Sequence, residues 1–231
     1  MVLVQYNKLK SAFANIPLVF LVLTNMLPIY GVLVLGWDAF NIVLLYWAEN
    51  LIIGFYNVLK MAFAKVEPPI ANIGKLFTIP FFIIHYGAFV AVHGFIIFAI
   101  FGKGGPSPDM HHPWPCFLIF LQLLIGVICH CWKTITTDMK YVLVTLFISH
   151  GVSFVHNYLM AGEYRTIKSN DLMGQPYSRI LVMHFAILIG AFLTISIGSP
   201  AGVLIVLIII KTIIDAKSHL AQHKKPQSAI V

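Results

Sequence analysis

Six side chains that ordinarily keep to water fall inside long apolar runs of this sequence: Glu49, His93, His150, His156, His184 and Asp215. Imidazoles with one or two carboxylates are the ligand set that zinc, iron or copper prefers, with at least three ligands supplied by protein. Two further histidines, His85 and His219, extend the set, and Asn50 and Asn157 are carboxamides placed to orient ligating groups from behind. Spacing gathers several of these residues onto common helix faces. Asn57 follows Asn50 by one heptad, His150 stacks above Asn157 with Ser149, Ser153 and His156 on the adjoining stripe, and Lys211, Asp215 and His219 follow one another at i, i+4.

The elements that carry them are membrane spans. The chain of 231 residues is 59% hydrophobic and 10% charged, where an average soluble domain is about 25% charged. A soluble interior of this size has no room for so much apolar surface, whereas a bilayer accepts it on the outside of the protein. Seven runs approach the roughly 20 residues of a spanning helix: 16–36, 38–64, 77–101, 116–133, 141–161, 179–197 and 200–219. The expected fold is therefore all-α, a polytopic transmembrane helix bundle. Merging the last two runs across Gly198-Ser199-Pro200 into one kinked helix would leave six spans. Residues 1–220 read as one domain and 221–231 as a polar tail. Lys8 and Lys10 precede the first run as in a signal peptide, but the run is long and is expected to be retained.

The net charge of +7 is scattered between the runs and at the ends, which argues for interfacial anchoring and against nucleic acid. Lysines at 8, 10, 60, 65, 75, 133 and 140 place the N-terminus in the cytoplasm, while those at 217, 224 and 225 favour the opposite sense for an odd number of spans. Cys116, Cys129 and Cys131 read as packing residues, and the four tryptophans as interface or packing aromatics, with Trp47 able to wall a cavity beside Glu49. The segment from Gly162 to Arg179 reads as a solvated loop or a lid.

If spans alternate in direction at about 1.5 Å per residue, His156, His184 and Asp215 lie roughly 5–10 Å below the face opposite the N-terminus, and Glu49, His93 and His150 roughly 12–17 Å below it. His85 falls deeper, His130 near the other face, and His111, His112 and His219 at the rim. Charges and imidazoles inside hydrocarbon cost several kcal/mol, so each needs a partner, a cavity or a function. Interhelical hydrogen bonding is the bland reading for any one histidine and a proton relay is another, but the group as a whole points to metal.

At Tyr46-Trp47-Ala48-Glu49-Asn50, the His85/His93 pair, Ser149-His150-Gly151 with His156-Asn157, and Lys211-Thr212-Ile213-Ile214-Asp215, the sequence resembles an uncharacterised prokaryotic integral-membrane family, a domain of unknown function. That resemblance covers most of the chain and implies several spans, the cytoplasmic membrane of a prokaryote and no assigned activity. In architecture the chain is also similar to the adiponectin-receptor and alkaline-ceramidase superfamily, which implies a zinc site that hydrolyses lipid amides. Asp215-x-x-x-His219 stands where that superfamily has His-x-x-x-His, and the His-x-x-His-His boxes of membrane di-iron hydroxylases are absent.

The expected protein is an integral membrane metalloenzyme, redox or hydrolytic, holding a divalent transition metal (zinc, iron or copper) and acting on a small or lipid-derived substrate. With zinc, Glu49 or Asp215 would serve as base toward metal-bound water; with iron or copper, dioxygen activation or electron transfer would follow. A proton- or ion-coupled transporter using the same residues, or a bis-His haem protein built on His93 and His150, are the alternatives. Homo-oligomer formation stays open.

Overall fold

The structure, a computed structural model, describes residues 26, 29–65, 73–101, 112–167, 169–198 and 201–224, the last ten of these by backbone alone. The chain divides into two compact units, residues 1–39 with 188–231 and residues 40–187. The larger unit holds α1 (Ala39–Phe63), α2 (Lys75–Ile100), α3 (Ile119–Thr134), α4 (Thr137–Ser153), α5 (Ser169–Gly174) and the first half of α6 (Tyr177–Ile197). In the smaller unit the rest of α6 and α7 (Ala201–Lys224) form a hairpin. The described residues are helices and their connections, without strands.

Local chemistry sets the ends. Lys75 extends its ammonium to the carbonyls of Ala62 and Ala64, a cation on the last turn of α1, where the unpaired carbonyls and the helix dipole favour it. Thr136 caps α4 by accepting from Met139 N–H at 3.4 Å. Gly198, at φ +72, ends α6 in the left-handed turn that glycine adopts freely, with its N–H on Thr194 O at 2.8 Å. Gly190 then admits Val203 against the α6 backbone. Two helices therefore meet at Gly198, and the single kinked helix is set aside. Beyond that hairpin, α7 continues to Lys224, into the polar tail.

Five stretches are long and apolar enough to cross a membrane: Ala39–Phe63, Lys75–Ile100, Cys116–Thr134, Thr137–Met160 and Asp171–Ser196. Most of the run 16–36 lies outside the described residues. All five carry exposed large apolar side chains, among them Phe55, Phe81, Ile128, Val152 and Phe185. Such a surface would aggregate in water and is at rest in hydrocarbon.

Side-chain contacts give the directions. Trp47 donates to Val90 O at 2.7 Å and Tyr86 to Asn50 O at 2.9 Å, so α1 and α2 are antiparallel. Gly87 faces Leu124, Gly94 faces Val127 and Phe98 meets His130, so α3 runs parallel to α2. Likewise Tyr56 meets Phe147 and Phe63 meets Phe154, so α4 runs parallel to α1, while α6 runs with α2. Strict alternation thus fails between α2 and α3. Where α1, α2 and α3 meet, Gly94 makes room for the Trp47 indole and Val127; a methyl group there would stand 2.7 Å from the indole.

Candidate functional site

Three helices of the larger unit bring charge together. Glu49 of α1 accepts from Arg179 Nη2 at 2.5 Å, Arg179 Nε reaches Asn50 Oδ1 at 3.3 Å, and His150 Nε2 of α4 lies 3.8 Å from the other Glu49 oxygen. An unpaired carboxylate at this depth would cost several kcal/mol, and the guanidinium fork offsets that by binding Glu49 and Asn50 together. Asn50 is buried, and its amide also donates to Tyr46 O at 2.9 Å, which fixes its oxygen toward Arg179.

Arg179 and His150 line a cavity of about 140 Å³ shared with Ile53, Tyr56, Asn57, Lys60, Ser153, Phe154, Gln175 and Pro176. Glu49 stands behind it, holding the two side chains that face in. Lys60 and Arg179 are its cations, and hydroxyl, amide and imidazole groups supply hydrogen bonds. The cavity lies toward the end of the helices where α1 finishes and α6 begins. Asn57 helps to close this end by donating to Leu172 O at 3.0 Å, pinning α5 to α1. Between Gly162 and Arg179 lie a 3-10 turn at Glu163–Arg165 and then α5 with Leu172 buried, and Lys65 N–H is bonded to Tyr164 O at 2.8 Å.

Directly beyond His150 the α4 backbone widens into a π-helix, Phe154–Met160. Seven residues of π geometry are uncommon, and such turns recur at functional sites because they sacrifice regular hydrogen bonding to re-aim side chains. Gly151 is needed at the junction: a methyl group there would meet the Tyr56 hydroxyl at 2.6 Å, and that hydroxyl donates to Phe147 O at 3.0 Å.

A second pair lies between α2 and α6. His93 Nε2 and His184 Nδ1 are 3.1 Å apart, one donating and the other accepting. His93 is only 2% exposed, and among the described residues its Nδ1 has no partner.

The remaining expected residues lie elsewhere. His85 shares a 2.8 Å hydrogen bond with the Tyr177 hydroxyl and stacks on Phe81 at the exposed edge of α2. His156, exposed, bonds Asn157 Oδ1 at 3.0 Å, and Asn157 donates to Ser153 Oγ at 3.1 Å. Asp215 and His219 are on α7, in the smaller unit, with side chains outside the description. Among the described residues no three His, Cys, Asp or Glu come together as a metal-holding group. The three cysteines are free, Cys131 buried and the others exposed. Of the tryptophans, Trp47 is a core residue, while Trp37, Trp114 and Trp132 are exposed as interface aromatics are.

Sequence gives Arg179 and Gln175 no role in a site and reads Lys60 as an interfacial lysine. A lone arginine at the start of a span reads as an interfacial anchor; the available signal was Pro176, a helix-starting residue that puts Arg179 inside the first turn.

These features define an all-α, polytopic membrane protein with polar groups enclosed among its helices. The chain belongs to the family of unknown function DUF6498, whose match covers residues 7–230. No curated protein and no protein of solved structure matches it.

Proposed function

We propose that this protein takes a small or lipid-derived anion into the cavity between α1, α4 and α6 together with a proton from solvent, held on His150. The observation that carries the reading is the convergence of Arg179, Lys60 and His150 on one polar cavity, with Glu49 behind two of them. Cations in a site of low dielectric attract an anion more strongly than they do in water. An imidazole beside a carboxylate is the usual instrument of proton transfer near neutral pH. In this arrangement Glu49 is a positioning residue for Arg179 and His150. Coupled to a bond change the site is an enzyme's; coupled to release on the other side it is a carrier's. The family resemblance drawn from the sequence supports the cytoplasmic membrane of a prokaryote as its location.

The test is calorimetric titration of inorganic phosphate into protein in lipid nanodiscs, repeated in two buffers of different ionisation enthalpy. Binding with net proton uptake is expected for the wild type, binding without uptake for His150→Asn, and no binding for Arg179→Gln. Failure of wild-type protein to bind phosphate, or proton uptake that persists in His150→Asn, would overturn the reading.

A metal-dependent form of the activity has one observation in its favour, since the 3.1 Å between His93 and His184 nitrogens suits two ligands of one zinc or copper ion. At least a third protein ligand would be needed to complete such a site. Near-stoichiometric metal in protein purified without chelator, lost in His184→Ala, is the outcome that this form requires.

A further inference from the structure

The polar cavity has an apolar neighbour on the same pair of helices. A groove of about 260 Å³ runs between α1, α3 and α4, lined chiefly by Trp47, Leu51, Ile128, Trp132, Val144 and Phe147, and almost wholly apolar. Along α1 the groove takes residues 47 to 52 and the cavity residues 53 to 60; along α4 the groove takes 143 to 147 and the cavity 150 to 154. The two are therefore consecutive along one seam. Tyr56 lines the cavity and Phe147 the groove, their rings 5.2 Å apart and joined by the hydrogen bond from Tyr56 hydroxyl to Phe147 carbonyl. From Lys60 to Trp47 the seam is roughly 20 Å long at the helical rise.

We infer that the seam binds one amphiphile from the membrane: an anionic head of phosphate or carboxylate type in the cavity, and a single hydrocarbon chain in the groove past Tyr56 and Phe147. This deepens the proposed function and rests on it. Charge points to the head, because Lys60 and Arg179 line the cavity and the Glu49 carboxylate beside it is engaged by Arg179. Depth points to a lipid. Its head would lie toward the helix ends and its chain toward mid-membrane, the orientation of an amphiphile in that leaflet. Capacity points to a single chain, since 260 Å³ holds about nine groups of water size at roughly 30 Å³ each. The groove also opens sideways: Trp132 and Val144, two of its lining residues, are half exposed on the apolar exterior, so a chain can enter from the bilayer. Tyr56, seated over Gly151 next to the π-helix, stands where head and chain would join.

The experiment uses dodecyl phosphate carrying a diazirine in mid-chain, photolysed on the full-length protein in nanodiscs, with labelled residues mapped by mass spectrometry. Labelling is expected to concentrate on residues 47–52 and 143–147 and to fall to background in Arg179→Gln. Val144→Trp, at an exposed position that a larger side chain can occupy without unfolding the protein, is expected to abolish groove labelling while inorganic phosphate still binds. Labelling spread evenly over the exposed apolar faces, unchanged by Arg179→Gln, overturns the inference. A second copy of the chain, or its own N-terminal segment, lying in the groove would give that same even pattern. If phosphate binds and labelling is even, the amphiphile fails and the anion site stands; if phosphate does not bind, both fail.

Discussion

His150 and His93 both sit within apolar spans, yet their surroundings differ in kind. His150 is half-buried at the edge of a polar cavity, 3.8 Å from a carboxylate that Arg179 holds. His93 is sealed between α2 and α6, with Nε2 on His184 and, among the described residues, no partner for Nδ1. The same residue type thus stands in two settings. Where charge partners and open volume coincide, the imidazole can meet a ligand; where neither is present, it joins two helices.

The sharpest way to break this comparison is to remove the guanidinium. Arg179→Gln leaves Glu49 part-buried without its cation, and a loss of about 2 kcal/mol is expected, less than for a fully buried pair because both side chains keep some exposure. Denaturant unfolding in mild detergent measures it, and Glu49→Gln added to Arg179→Gln is expected to restore much of the loss. If Arg179→Gln alone unfolds like wild type, the pair does not hold the site.

His93→Phe tests the other side. It deletes one interhelical hydrogen bond and strands the His184 nitrogen, at a cost of about 1–2 kcal/mol, with phosphate binding unchanged. Altered phosphate affinity in that variant would erase the distinction between the two histidines. Gly151→Ala is expected to push Tyr56 off Phe147 O and cost about 1 kcal/mol, read from the same unfolding curves and from a changed Tyr fluorescence. His150→Asn is expected to cost under about 0.5 kcal/mol, since its contact with Glu49 is long at 3.8 Å and part-exposed; its effect belongs to proton uptake.

How much of this could be read from sequence follows from what hydrophobicity encodes. Long apolar runs gave the five described spans, because burial in lipid demands length and composition that nothing else supplies. Glu49 and His150 were expected at one depth and do meet, although the alternating scheme had their helices antiparallel and they are parallel. A mid-helix residue keeps its depth when its helix is reversed. His156, near a helix end, does not, and it lies away from the Glu49 group; His130 moves likewise to meet Phe98. The reversal enters between α2 and α3, across Gly102 to Pro115, where loop composition carries no sign of direction. Arg179 was hidden for a different reason: its partner is 130 positions away, and single-sequence spacing reports only neighbours on one helix.

The central claim, that the α1, α4 and α6 cluster is the working site and the α2 and α6 histidines are a structural joint, is tested most directly by counting protons. Phosphate titrated into wild type, His150→Asn and His93→Phe in paired buffers should show net proton uptake in the first and third and none in the second. Proton uptake lost in His93→Phe and kept in His150→Asn would contradict the account.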